Sequence, residues 1–295
     1  MKHDYMVHAL AYDARVRAVA ITARNVVEEF RRRHDLSPLA TAAVGRVASA
    51  ALMLSAWASE NEKITIIFEG DGPIGRIVVE AKPEHTVRGY VGNPKVDLPL
   101  RDDGKLDVGK AIGKGTLYVV RDIGLRNAFT GQVEIVSGEV AKDLAYYFTV
   151  SEQIPSAVSL GVLVGRNGVL EAGGYIIQIF GGQLEEWEID EIEAKVKNSP
   201  PVTELLKEGK KPEDILKNLL GEHLMDMYRY DVRFKCDCNR ERAYNALKML
   251  PVKDLEELIE EGRAEVTCKW CGAVYTFGKD EIRSIILDRE RSNGS

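Results

Sequence analysis

The feature that most limits what this chain can fold into is the placement of its cysteines. There are four in 295 residues, grouped as two close pairs, Cys236-Asp237-Cys238 and Cys268-Lys269-Trp270-Cys271. Four thiolates supplied as two pairs far apart in sequence are the usual way to satisfy a tetrahedral zinc ion. The run between the pairs can form two helices that bring them together. Asn239 can cap one that ends before Pro251, and Asp254 with Glu257 resembles a capping box opening a second that stops at Gly262. The second pair lies between short β-type runs, Ala264 to Thr267 and Ala273 to Phe277, and Gly272 follows its last cysteine as a tight metal-binding turn favours. This stretch resembles a zinc knuckle, although Cys-x-Cys is less usual in zinc fingers than Cys-x-x-Cys. On these residues alone a static zinc staple and a redox site stay equally open.

The unit that holds the cysteines, from about Met225 onward, spans roughly 70 residues, a size at which an apolar core alone is barely sufficient. Zinc can contribute on the order of 10 to 16 kcal/mol to folding such a domain. If near neighbours paired on oxidation, each short loop would constrain the unfolded chain by only roughly 2 kcal/mol. Disulfides of that kind cannot replace the metal, so oxidation would leave an unfolded tail and loosen whatever it holds in place.

Ahead of the cysteines the chain divides by composition. Tyr5 to Tyr12 and Val16 to Thr22 read as a hairpin closed at Asp13-Ala14-Arg15. Asn25 to His34 and Pro38 to Trp57 have helical spacing, the second opened by Ser37 and Pro38. The most apolar part, Val47 to Ala58, is too short to span a bilayer and reads as a core helix. Strand signals follow at Ile64 to Phe68, Ile77 to Ala81, Val87 to Val91, Leu117 to Val120 and Val133 to Ile135, then a helix over Val140 to Ser151. Two long β-rich runs, Val158 to Val164 and Val169 to Ile179, flank a Gly165 to Gly168 turn. After Gly182 come six acids without a base, Glu185, Glu186, Glu188, Asp190, Glu191 and Glu193, which read as a solvated helix face. Two short helices ending at Gly209 and Gly221 complete a charged linker.

Several function classes are disfavoured. The first twenty residues carry Asp4, Asp13, Arg15 and Arg17, which breaks the apolar stretch of a secretory signal and with sparse cysteine argues against a secreted disulfide framework. The net charge of -6, with 13 bases against 15 acids from Glu222 onward, does not favour phosphate backbones, so a zinc-ribbon nucleic-acid module stacking bases on Trp270 and Tyr275 is the weaker alternative. A thiol oxidoreductase using Cys268 and Cys271 would place them at a helix start, whereas Val274 to Phe277 looks like strand. The Gly70-Asp71-Gly72-Pro73-Ile74-Gly75 run fits a dinucleotide fingerprint, but Arg76 to Ala81 is β-like where a helix is required, so it reads as a hairpin turn. The five histidines are scattered, and only His223 approaches the cysteine unit, as a surface or linker residue. No local signature of nucleophilic catalysis is present, and no enzyme activity is expected.

Taken with Gly70-Asp71-Gly72-Pro73, Val87-Arg88-Gly89-Tyr90-Val91, Asn93-Pro94 and Ser151-Glu152-Gln153-Ile154-Pro155, the cysteine pattern resembles the redox-regulated, thirty-three-kilodalton heat-shock chaperones over essentially the whole chain. Those are ATP-independent holdases of the bacterial cytosol. The resemblance implies an α+β protein in three parts: a mixed α/β core with a large β-sheet over 1–182, a charged helical linker over 183–224 and a zinc-binding redox-switch domain over 225–295. It implies one zinc ion per chain in the reduced form, held by Cys236, Cys238, Cys268 and Cys271. Oxidation would then pair Cys236 with Cys238 and Cys268 with Cys271, release the metal, unfold the C-terminal parts and expose apolar surface. The implied partners are unfolding client proteins and a second copy of the chain on activation, with no specific nucleic acid and no membrane, in the cytoplasm.

Overall fold

The computed structural model describes residues 3–125, 128–182 and 184–293, so that Gln183, the first residue of the expected linker, lies outside them. These residues form two compact units, one running to Lys235 and one from Cys236. In chain order the first contains β1 (Tyr5–Ala11), β2 (Val16–Thr22), α1 (Arg24–His34), α2 (Pro38–Ser55), β3 (Lys63–Gly70), β4 (Arg76–Lys82), β5 (Thr86–Val91), α3 (Val108–Ile112), β6 (Gly115–Asp122) and β7 (Phe129–Glu134). It continues with α4 (Val140–Val150), β8 (Ser156–Gly165), β9 (Gly168–Ile179), α5 (Glu186–Asn198), α6 (Val202–Lys207), α7 (Pro212–Leu220), β10 (Leu224–Asp231) and β11 (Arg233–Phe234).

Two sheets organise this unit. One has strand order β10-β1-β2-β9-β8 and the other β11-β5-β4-β3-β6-β7, antiparallel throughout except for the short β11–β5 pairing. Helix α2 lies in the apolar layer between them. Ser37 caps it by accepting the Ala40 N–H at 3.1 Å, Pro38 supplies its first turn, and its alanines let both sheets approach closely. The helix is long and apolar enough to cross a membrane by length and composition, yet almost all of it is buried in this core with Ile64, Ile66 and Phe68 from one sheet and Val19, Ile21 and Ile176 from the other.

Strand β2 is apolar on both faces. Val19 and Ile21 point to the central layer, while Val16, Ala18 and Ala20 belong with Val7, Ala9, Tyr175 and Ile177 to a second apolar face. Bare, that face would be a large exposed patch. It is covered by the expected linker: Ile192 of α5, Val202, Leu205 and Leu206 of α6 and Ile215, Leu216, Leu219 and Leu220 of α7 are all buried on it. Small side chains on the strands, Ala9, Ala11, Ala18 and Ala20, are what let the helices settle there.

Two corrections to the sequence reading concern this segment. The acidic run is not wholly a solvated face: Glu188 is buried, and its carboxylate accepts both terminal nitrogens of Arg15 at 2.7 and 2.8 Å as well as the Glu185 N–H that starts α5. The boundary expected near Met225 falls inside β10, which pairs antiparallel with β1 from Tyr5↔Asp231 to Ala11↔Leu224. Leu224 to Asp231 was missed as a strand because its position is set by backbone pairing along a sheet edge and not by burial. The glycine-rich run is the β3–β4 turn, as expected. A Cβ at Gly72 would lie 2.3 Å from the Ala111 carbonyl oxygen, so the glycine admits the end of α3 and not a phosphate.

The second unit contains α8 (Arg240–Leu247), α9 (Val252–Glu261), β12 (Arg263–Thr267), β13 (Val274–Gly278) and α10 (Lys279–Asn293). Helix α9 starts at Val252, after Pro251, two residues ahead of the expected Asp254 start. Its core is Ala243, Leu247, Leu255, Ala264, Phe277, Ile282 and Ile285.

Candidate metal centre

Each half of the cysteine set is positioned by ordinary local chemistry. Cys236 and Cys238 sit in the extended segment before α8, whose cap is Asn239: its side-chain oxygen accepts the Arg242 N–H at 2.8 Å, and Arg242 donates back to the Asp237 carbonyl at 2.9 Å. Cys268 and Cys271 occupy the tight turn between β12 and β13. Within it the N–H groups of Cys271 and Gly272 both donate to the Cys268 carbonyl, at 3.3 and 2.8 Å, and Cys268 donates to the Ala273 carbonyl at 2.8 Å. Gly272 adopts φ +70°, the left-handed conformation that closes such a turn and that side chains with a Cβ resist.

The two halves converge. All four sulfurs lie within 4.8 Å of one another. The Cys236 and Cys268 Sγ atoms are 3.8 Å apart and those of Cys238 and Cys271 are 3.3 Å apart. With metal–sulfur bonds of about 2.3 Å, a tetrahedral zinc site has sulfur–sulfur edges of about 3.8 Å, so the donor set fits that ion in number, element and spacing. Cys271 is buried and the other three are half-buried, which leaves an approach for small reagents.

The thiols are not equivalent. Burial pushes Cys271 and Cys268 up, against the pull of the Ala273 and Trp270 backbone N–H groups. Burial also opposes ionisation of Cys238, but hydrogen bonds from Tyr275 and the neighbouring thiols outweigh it and hold that thiol below its ordinary value. Tyr275 Oη donates to Cys238 Sγ at 3.2 Å, and its own hydroxyl is pushed up to about 12 by that bond. A shared negative charge among close sulfurs is what a divalent cation would neutralise.

A family model described as Hsp33 protein matches residues 4–278. A 33 kDa chaperonin of Thermotoga petrophila is 48% identical over 284 residues, which is 96% of this chain and 98% of that protein. The chain belongs to the Hsp33 family. Another 33 kDa chaperonin, from Bacillus subtilis, is 46% identical over 285 residues, 96% of this chain and 98% of its own length. The crystal structure of the Thermotoga maritima 33 kDa chaperonin superposes with a TM-score of 0.95 at 46% identity, covering 98% of this chain and all of that one. The Hsp33 match ends with β13 at Gly278, so α10 lies beyond it.

The structure brings together all four cysteines that the sequence reading singled out for this Hsp33 chain. His223 is not among them. Its ring stacks on Tyr12 at 4.1 Å and its Nε2 lies 3.4 Å from Glu191, next to the cover. One pair not legible in sequence is Ser55 and His85, whose Oγ and Nδ1 are 3.0 Å apart. The Ser55 hydroxyl already donates to the Leu52 carbonyl at 2.6 Å, so toward His85 its oxygen accepts a hydrogen bond instead of donating one, the opposite of what a nucleophile requires.

Proposed function

We propose that this chain is a redox-regulated, ATP-independent holdase of the cytoplasm, with Cys236, Cys238, Cys268 and Cys271 as the ligands of one zinc ion per chain in the reduced form. The observation that carries this reading is the convergence of the four sulfurs in a unit whose buried apolar residues, among those described, are Ala243, Leu247, Leu255, Ala264, Phe277, Ile282 and Ile285. A bound zinc ion would hold all four as thiolates and tie the β12–β13 turn to the segment before α8. The functional parts are then a core over 1–182, a displaceable cover over 183–224 and a switch that begins at Cys236, with β10 belonging to the core sheet.

Oxidation of each pair of thiolates by hydrogen peroxide removes two electrons, forms a sulfur–sulfur bond and, with two protons taken from solvent, yields two water molecules. Pairing of Cys236 with Cys238 and of Cys268 with Cys271 follows the family resemblance. In the folded unit all four sulfurs lie within 4.8 Å of one another, with the cross-half pairs at 3.3 and 3.8 Å, so proximity does not by itself select neighbours and any bridge requires two sulfurs to close to about 2.05 Å. Neighbour bridges leave the small core without its staple. Loss of the switch is then passed to the cover, and the apolar face under α5–α7 becomes available to unfolding clients and to a second copy of the chain.

Two observations bear on the alternatives. The Cys268-x-x-Cys271 pair lies in a β-turn and not at a helix N-terminus, which deprives it of the dipole that activates an oxidoreductase thiol. The acidic balance of residues from Glu222 onward works against a nucleic-acid module.

The test is one sample followed by three readouts before and after peroxide with mild heating: zinc content, free thiols, and suppression of light scattering by a thermally unfolding client without ATP. Zinc release and thiol loss with no gain in suppression would remove the holdase reading. Peptide mapping of the oxidised chain decides the pairing, because dominant bridges between the Cys236 and Cys268 regions would defeat the unfolding mechanism.

A further inference from the structure

Strand β8 ends the five-stranded sheet and pairs only with β9. The phase of that pairing follows from the Ile179 N–H, which donates to the Pro155 carbonyl at 3.0 Å. Alternate residues exchange bonds with β9, so Ala157, Ser159 and Gly161 face it, and the N–H and C=O groups of Val158, Leu160 and Val162 point away. Among the described residues no hydrogen bond reaches those three from the open side. At the opposite end of the same sheet β10 carries Asp226, Arg229 and Asp231; of the other sheet's ends, β11 is two residues long and β7 is a six-residue strand that closes on Glu134. The ten residues of β8 include no charge and no proline, so it has none of the usual side-chain protection of an edge strand.

A cleft of about 660 Å³ runs beside that edge. Ser159 to Val164 line it, and it is walled by Leu100 and Gly104 to Leu106 and by Pro201 to Glu204 at the start of α6. Helix α6 belongs to the cover, and it approaches β8 so closely that a Cβ on Gly161 would lie 2.6 Å from the Thr203 methyl. Lifting the cover therefore widens the cleft along the strand.

We propose that the open edge of β8 docks an extended, uncharged stretch of client polypeptide, which adds to the sheet as a further strand. This rests on the holdase reading above. A row of alternating N–H and C=O groups recognises backbone in one conformation and is indifferent to side-chain identity, which suits a protein that meets unrelated clients as they unfold. The six residues along the cleft span about 20 Å, the length of an ordinary strand. A second copy pairing β8 with β8 would bring its own sheet and α6 against the walls, whereas a lone strand brings neither.

The test uses oxidised full-length protein and a labelled peptide, acetyl-Lys-Thr-Val-Thr-Val-Thr-Val-Lys-amide, beside a version with identical side chains and every internal backbone nitrogen methylated. The unmodified peptide should bind at least about tenfold more tightly, and on binding the amides of Val158, Leu160 and Val162 should slow in hydrogen exchange. Equal binding of the two peptides, or protection elsewhere but not at these amides, overturns the proposal. So does protection of the same amides in oxidised protein without peptide that disappears on dilution to the monomer, which would assign the edge to a second copy. A client light-scattering assay on the same sample separates the two levels. Suppression without amide protection removes only the β8 site, and no suppression removes the holdase reading together with it.

Discussion

Leu216 offers the sharpest test of the cover. It is fully buried on α7, against the apolar outer face of the five-stranded sheet, and it lies in a helix of nine residues that holds its place by Ile215, Leu216, Leu219 and Leu220. Truncating a fully buried leucine to alanine costs about 2 to 5 kcal/mol, part transfer and part cavity. If that cost falls on docking of the cover, a middle value of about 3 kcal/mol raises the open fraction roughly 150-fold. A cover open in about one molecule in ten thousand would then be open in one or two per hundred, enough for clients to draw the equilibrium further by mass action. Reduced Leu216→Ala should therefore suppress client aggregation without oxidant while retaining one zinc ion per chain. Hydrogen exchange over residues 186–221 should quicken, with exchange in α2 unchanged. Trp187→Ala, at a position 59% exposed on α5, serves as the control and should behave as the parent. The reasoning fails if exchange quickens equally in α2, since the cover would then be an inseparable part of the core, or if the cover opens and clients are still not held.

The other expectations are independent of that one. Cys268→Ser should lower zinc affinity by orders of magnitude, because a hydroxyl is a poor substitute for a thiolate, and titration against a chromogenic chelator measures it. Gly72→Ala should destabilise the first unit by about 1 to 3 kcal/mol in urea through the contact with the Ala111 carbonyl, while leaving nucleotide binding undetectable before and after. Asp4 is 7% exposed and burial pushes its carboxyl up to about 6, against the Val26 and Asn25 hydrogen bonds, so the folded state holds its proton more tightly than the unfolded chain. Its contribution is therefore complete below pH 4 and lost as pH rises through 6. Between pH 8 and pH 4.5 the wild type should gain roughly 2 kcal/mol relative to Asp4→Asn in urea titrations, and parallel pH profiles would refute the assignment.

What was legible beforehand divides along physical lines. The cysteine set was readable because metal chemistry demands particular atoms at particular spacings, and the structure places those four sulfurs together. The β1–β2 hairpin, α2 and the long β8–β9 pair were readable because burial imposes period 2 or 3.6 on side chains. The linker helices were legible as a removable cover, but the face beneath them was not named, although β2 carried its signal: Val16, Ala18, Val19, Ala20 and Ile21 are apolar on both faces, which in an antiparallel sheet calls for a layer on each side. Glu188 was lost in the acidic run because its burial depends on Arg15, 173 residues earlier. Helix α10 had a signal that was passed over, Ile282, Ile285 and Ile286 at helical spacing after Gly278. Strand β10 had almost none, since most of its side chains are exposed and alternation has nothing to mark.

That unread strand changes how the two units can communicate along the chain. With the boundary expected near Met225, the cover would run directly into the cysteine unit, and unfolding there would pull on α7 at once. In the structure the twelve residues from Leu224 to Lys235 intervene, and they are held by β10 on β1 and by β11 on β5. A signal that travels through the backbone from Cys236 toward α7 must first release β11 and then β10. Their anchoring is uneven: β10 exposes Met225, Met227 and Tyr228, whereas Tyr230, Val232 and Phe234 pack on the core of the first unit, Phe234 edge-on to Phe30 at 4.9 Å. The stretch of β10 from Met225 to Tyr228 is therefore held mainly by backbone hydrogen bonds along the sheet edge, which open at low cost compared with buried elements. On the proposed switch, stiffening β10 should therefore delay activation by oxidant without altering zinc affinity.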